Sequence, residues 1–127
     1  MRSFFRLYEG TIDGAVFAAF MRELLREVRS GVLIIWDGWN VHKAPEVRSL
    51  LAERERVRVH VLPAYAPGLN PVEGMWAHSK EVGLRGYVPE DKLDLELEAG
   101  VVLDEIGASQ RLLRGFVNGT PLRITGV

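Results

Sequence analysis

The feature that most constrains this chain is a short apolar run, Val-Leu-Ile-Ile-Trp at 32–36, that ends abruptly on Asp37. Five residues are too few for an amphipathic helix. A continuous apolar run with β-branched side chains predicts a strand buried on both faces, as in a parallel sheet. Its flanks support that reading. Upstream, Val16, Phe17, Phe20, Met21, Leu24, Leu25 and Val28 recur at helical spacing, with Thr11 or Asp13 as the cap and Ser30-Gly31 as the stop. Downstream, residues 44–55 predict a second helix, with Val47, Leu50 and Leu51 inward and Arg48, Glu53 and Arg54 outward. Residues 57–62, VRVHVL, alternate with the valines on one side and predict another strand. The aromatic segment SFFRLY at 3–8, ended by Glu9-Gly10, predicts a first strand. The resulting order, β-α-β-α-β, implies parallel strands joined by right-handed crossovers.

Beyond Leu62 the pattern changes. Prolines at 63, 67 and 71 forbid regular strand pairing through PAYAPGLNP, because proline lacks a backbone donor and fixes its own φ. A helix is expected over 71–82, with Pro71 in its first turn and Gly83 and Gly86 ending it. The tail from Pro89 is expected to be helical, since Leu93, Leu97 and Val101 fall four apart. Ser109 should cap a last short helix, and NGTPLRITGV at 118–127 should be loosely held.

The sequence has 127 residues, 47% of them hydrophobic, which suits one compact domain with a real core. Its net charge of −1 argues against a uniformly basic DNA-binding surface and leaves room only for a local basic patch. With no cysteine, a disulfide framework and a cysteine-bound zinc are excluded. The histidines at 42, 60 and 78 match no usual zinc-ligand spacing. No run approaches the roughly 18 apolar residues of a membrane span, and the N-terminus has no signal-peptide pattern.

Two carboxylates stand at chemically useful places. Asp37 directly follows a strand, at the end where open parallel sheets bind ligands. Glu73 opens the helix that follows the proline-rich loop. Convergent carboxylates far apart in sequence suit magnesium or manganese, hard cations that prefer oxygen ligands. Taken singly, each residue reads equally well in a plainer way: Asp37 as a turn former, Glu73 as a favourable charge at a helix N-terminus. Arg22, Arg26 and Arg29 share a helical face that suits either a DNA backbone or, beside Glu23 and Glu27, an ordinary solvated surface.

As strings the two regions say more. WDGWNVHK at 36–43 and LPAYAPGLNPVEGMWAHSK at 62–80 resemble the two best-marked motifs of the mariner-related bacterial insertion-sequence transposases of the DDE superfamily. In the second motif Pro63, Tyr65, Pro67, Leu69, Asn70, Pro71, Glu73, Trp76 and Lys80 match, while Ala66 stands where the family has serine. The resemblance is strong from about 32 to 83 and holds only in outline before that. It implies a partial RNase H-like α/β fold: a mostly parallel three-stranded sheet with helices and a helical C-terminal tail. It further implies a single truncated catalytic domain over 1–127, without the first-acid strand and the N-terminal helix-turn-helix.

The function implied is metal-dependent DNA strand cleavage and transfer in transposition, with this chain impaired when alone. The alternative is a non-catalytic DNA-binding or assembly remnant on the same scaffold. Asp37 would be the second acid and Glu73 the third, sharing two Mg2+ or Mn2+ ions. Asn40, His42, Lys43, Tyr65, Asn70 and Lys80 would bind DNA or support the site. Asn70 would fix Glu73, and Lys80 would meet a phosphate or lie on a solvated face. His42 would orient a carboxylate, meet DNA or simply pack. Tyr65 would stack a base or lid the core, and Trp76 would pack its helix onto the sheet. The implied partners are DNA, both transposon ends and target, and a second copy covering an open sheet edge. The implied location is the bacterial cytoplasm, on the nucleoid when DNA-bound.

Overall fold

The computed structural model describes residues 1–121 and divides them into two compact units, residues 8–66 and residues 1–7 with 67 onward. The first unit runs α1 (Gly14–Glu27), β1 (Val32–Trp36), α2 (Pro45–Ala52) and β2 (Val57–Val61), with a 3-10 turn at Asn40–Lys43. The Asp13 side chain caps α1, accepting from the Val16 N–H at 2.9 Å. At the other end of α1, Arg56 donates to the carbonyls of Leu25 (2.5 Å), Val28 (2.6 Å) and Ser30 (2.8 Å). The first two are carbonyls a helix C-terminus leaves without partners, and the third belongs to the turn that follows. Pro45, with φ already helical, starts α2.

Strands β1 and β2 pair in parallel, in the register Val32↔Val57 to Trp36↔Val61. The core of this unit is Ala18, Met21, Trp36, Val47 and Leu50, with Phe17, Phe20, Leu24 and Ile34 packed around it. Gly14 lets α1 and the start of α2 meet: a Cβ there would lie 2.5 Å from the Ala44 Cβ. Only one face of the sheet is covered within the unit. Successive side chains alternate between faces; Ile34 and Trp36 turn to the helices, while Leu33 is 62% exposed. The expectation of a strand buried on both faces is corrected to that extent.

The sheet has two strands among the described residues, not the expected three. Residues 1–8 form no regular element. The start of the chain belongs to the second unit, where the Met1 ammonium donates to the Gln110 side chain at 2.9 Å and the Gln110 amide donates back to the Met1 carbonyl. Aromatic content favours a strand only when a strand edge is there to pair with.

The second unit holds a 3-10 turn at Pro67–Leu69, α3 (Pro71–His78), a π turn at Ser79–Gly83, α4 (Lys92–Ala108) and α5 (Gln110–Asn118). Val102, Ile106 and Leu113 form its core, joined by Met75, Leu84, Leu112 and Phe116. Asp91 caps α4 through the Asp94 N–H at 2.8 Å, and Ser109 caps α5 through the Leu112 N–H at 3.2 Å. Helix α4 forms where the spacing expects a helix, but the residues that set the spacing are not the ones buried. Val102, Leu103 and Ile106 are buried, whereas Leu93, Leu97 and Val101 are exposed. Gly83 explains the choice: a Cβ there would sit 2.3 Å from a methyl of Val102, so the absence of one draws that side of α4 in. Of the segment expected to be loose, Thr120 is buried and its hydroxyl donates to the Val117 carbonyl at 2.7 Å. The remainder, 122–127, lies outside the described residues. Among the described residues no helix is long and apolar enough to cross a membrane.

Candidate active site

The Asp37 end of β1 is the most closely built part of the first unit. The residues after Trp36 leave the sheet, pass Gly38 and wind into the 3-10 turn that carries Asn40, His42 and Lys43. One Asp37 carboxylate oxygen, Oδ1, accepts from the Trp39 N–H at 3.0 Å, which closes the turn and fixes the carboxylate. The His42 ring folds back over the start of the same turn. Its Nδ1 lies 3.0 Å from the Asp37 carbonyl and 3.5 Å from Oδ1. The imidazole stacks on Trp36, centroids 4.2 Å apart and planes 10° apart, and touches Phe17 at 5.0 Å. The result is an asymmetric pair: the His42 side chain is 11% exposed and the Asp37 side chain 55%. A ring held by two aromatic neighbours supports an acid that faces solvent. Asn40 and Lys43 are exposed on the same turn.

The loop after β2 leaves from the same edge, since the Leu62 N–H donates to the Trp36 carbonyl at 2.7 Å. Tyr65, at its tip, has φ +58°, in the left-handed region that side chains with a Cβ disfavour. Its side chain is fully exposed, at 103%. It is therefore not a lid on the core.

In the second unit, Glu73 occupies the first turn of α3 and is exposed. Asn70 builds that turn twice over. Its side chain accepts from the Val72 N–H at 3.1 Å, and its carbonyl accepts from the Glu73 N–H at 3.1 Å. Pro71 at the first helical position completes the start. Trp76, expected to pack its helix down, is exposed instead; Met75 takes the inward place and joins the core. Lys80 falls in the π turn, where the Leu84 N–H bonds to the Ser79 carbonyl at 2.8 Å, and is exposed. Such widened turns frequently accompany functional sites.

Asp37 and Glu73 thus belong to different units. Both are hard oxygen donors of the kind magnesium and manganese take. Among the described residues, no three His, Cys, Asp or Glu side chains gather closely enough to hold a metal ion. Sequence reasoning missed the Trp36–His42 stack and the role of Arg56. The first is visible in sequence only as two rings six residues apart across an unpredicted turn, and the second carries no signal beyond one cation before a strand.

A family model for DDE superfamily endonucleases matches residues 1–95. Among curated proteins, the chain is 33% identical over 66 residues to the insertion element IS630 uncharacterized 39 kDa protein of Shigella sonnei, a match covering 50% of this chain and 19% of that protein. The chain therefore spans about a fifth of the relative it matches. No solved structure matches it.

Proposed function

From the chain's membership of the DDE endonuclease superfamily, we propose that it is part of the catalytic core of an insertion-sequence transposase, with Asp37 and Glu73 as the second and third acids of the family's set. The observation that carries this reading is the construction around Asp37. A carboxylate at the C-terminal end of a parallel strand is fixed through one oxygen by the Trp39 N–H, backed by His42, and still open to solvent. An acid that served only as a turn former would have no need of the stacked, mostly covered imidazole behind it.

The residues have separable tasks in this reading. Asp37 and Glu73 would each give oxygen ligands to Mg2+ or Mn2+, and such ions would supply activation of water and stabilisation of the leaving oxygen in phosphodiester cleavage. His42 keeps the Asp37 carboxylate oriented through the turn it braces. Asn70 sets the first turn of α3 and with it the direction of Glu73. Lys43 and Lys80, both exposed, meet phosphates as point charges, and Asn40 donates to the DNA backbone. The fold is a partial RNase H-like one. A second copy of the chain covers the open side of the sheet, where Leu33 is exposed. The protein works on DNA in the bacterial cytoplasm and nucleoid.

A second reading is a DNA-binding or assembly remnant without catalysis, which the exposed Lys43 and Lys80 would serve equally well. Nicking of supercoiled plasmid in magnesium or manganese separates the two, with the chain run beside Asp37→Ala and Glu73→Ala. Catalysis predicts weak nicking that both substitutions abolish. Plasmid retardation with no nicking above the variants supports the remnant. Nicking that survives both substitutions contradicts the assignment of the acids.

A further inference from the structure

We propose that Tyr65 and Trp39 form a stacking platform for an unpaired nucleobase beside Asp37, so that this edge of the first unit selects DNA ends carrying unstacked nucleotides over continuous duplex. The proposal rests on the reading of Asp37 as an acid that works on DNA, and names the form of DNA it takes.

Tyr65 is the starting point. A residue with a Cβ in the left-handed region costs roughly 1–2 kcal/mol. An aromatic held there normally recovers the cost by packing. Tyr65 recovers nothing of the kind: its side chain is 103% exposed, on a loop stiffened by the fixed φ of Pro63. The backbone is bent in a way that presents a flat ring to solvent. Strain of this sort collects at ligand clamps.

Trp39 supplies the second ring. The indole meets Phe17 at 6.1 Å and 79° and His42 at 5.4 Å and 83°, both edge-type contacts that hold it in place. No ring lies parallel on it, and it is 45% exposed. The backbone N–H of Trp39 is bound to the Asp37 carboxylate. The two rings share one unit and one sheet edge. Trp36↔Val61 is the last pair of β1 and β2, with Trp39 three residues beyond one strand and Tyr65 four beyond the other. Neighbouring strands lie about 4.8 Å apart, so both loops rise from the same narrow edge that carries the acid.

The chemistry of two exposed rings and an adjacent lysine, Lys43, specifies the ligand. A nucleobase offers a π face to an aromatic side chain whatever its identity, and a cation takes the neighbouring phosphate. Inside a duplex those faces are already stacked on their neighbours. They become available at overhangs, nicks and flipped positions, the places where a strand-cutting enzyme acts.

The test uses the full chain in magnesium-free buffer with two labelled DNAs: a short blunt duplex, and the same duplex with an unpaired 3′ overhang carrying 2-aminopurine. The overhang form is expected to bind more tightly, with the 2-aminopurine fluorescence quenched by stacking. Tyr65→Phe keeps both properties. Tyr65→Ala weakens overhang binding about tenfold and weakens blunt-duplex binding by a smaller factor, so the preference for the overhang is lost. Tyr65→Gly loses the same binding while its Tm stays equal or rises, because glycine relieves the left-handed backbone. Equal affinity for the two DNAs, or an unaltered Tyr65→Ala, overturns the platform while blunt-duplex binding leaves the DNA-handling reading standing. No binding to either DNA overturns both.

Discussion

The two units of the chain solve the same problem, hiding an apolar face, by different means. In residues 8–66 each helix carries one apolar face, and that face is buried, while the strands leave Leu33, Val59 and Val61 exposed. Ala18, Met21 and Leu25 line one side of α1, Val47 and Leu50 one side of α2, and Trp36 closes β1. In the second unit α4 is apolar on several sides at once. Which side is buried is decided by a partner, the bare backbone of Gly83 against Val102, and not by the helix's own periodicity. Periodicity fixes burial where an element has a single face to hide. Where it has more than one, a small residue elsewhere in the chain decides.

Core truncations sharpen that contrast most. Ile106→Ala in α4 should cost about 2–5 kcal/mol in urea denaturation, and Leu50→Ala in α2 should fall in the same range. Leu97→Ala, taken from the face that spacing alone selects, should stay within about 0.5 kcal/mol. A Leu97→Ala loss as large as that of Ile106→Ala would erase the distinction.

Next in size is the end of α1. Arg56→Met keeps much of the stem but removes donors to two helix-end carbonyls and one in the turn that follows. Bonds from a charged donor contribute about 1.5–3 kcal/mol, and a loss in that range is expected by the same denaturation. The second unit fixes its helix starts with small polar caps instead. Asn70→Ala should cost about 1 kcal/mol. Its amide-exchange signature should be faster exchange at Val72, whose N–H the side chain binds, with β1 unaffected.

The smallest effect separates the units by pH. The Asp94 carboxylate beside it, more than its slight burial, pushes the Tyr87 hydroxyl up to about 12 from 10.0. The Tyr87 hydroxyl in turn, with the Glu90 N–H, holds Asp94 below its ordinary value of 3.8. A raised folded-state pKa stabilises fully below the unfolded value and is lost as pH rises through the folded one. The Tyr87 contribution is therefore present below pH 10 and fades toward about pH 12. The lowered Asp94 works in the opposite sense, with its contribution present above 3.8 and lost as pH falls. Both residues are half-buried and both lie in the second unit. Between pH 10 and 12 a chain with Trp76 as its one tryptophan should lose stability slightly more than one retaining only Trp36. Equal losses would remove the assignment of the effect to Tyr87.

The same contrast explains how much the sequence revealed. The elements of residues 14–61 are legible because capping and period agree: Asp13 starts α1, Ser30-Gly31 stops it, and VLIIW and VRVHV pair in parallel as their pattern predicts. The third strand failed because the rings at 3–8 find no strand to pair with among the described residues, and the start of the chain is tied instead to Gln110 through Met1, a contact over a separation of more than a hundred residues that no local pattern encodes. Leu93, Leu97 and Val101 marked the helix but not its buried side, and Trp76 misled for the same reason: an apolar residue at helical spacing marks a face, and the neighbour that covers it must come from elsewhere. The candidate site was legible as motif residues in order. Its physical construction was not, because the turn that places His42 under Asp37 is a single 3-10 turn without a periodic signal.

The central claim is that Asp37 and Glu73 are acids of a metal site and not a turn former and a helix-end charge. Calorimetric titration of the full chain with Mn2+ addresses it without requiring turnover, comparing the parent with Asp37→Asn and Glu73→Gln. Both substitutions keep size and hydrogen-bonding capacity while removing the charge, so the turn at Trp39 and the first turn of α3 should survive, as circular dichroism would verify. The account predicts Mn2+ binding that each substitution weakens. Binding that persists unchanged in both variants, or a parent chain that takes up no Mn2+ at all, would contradict it.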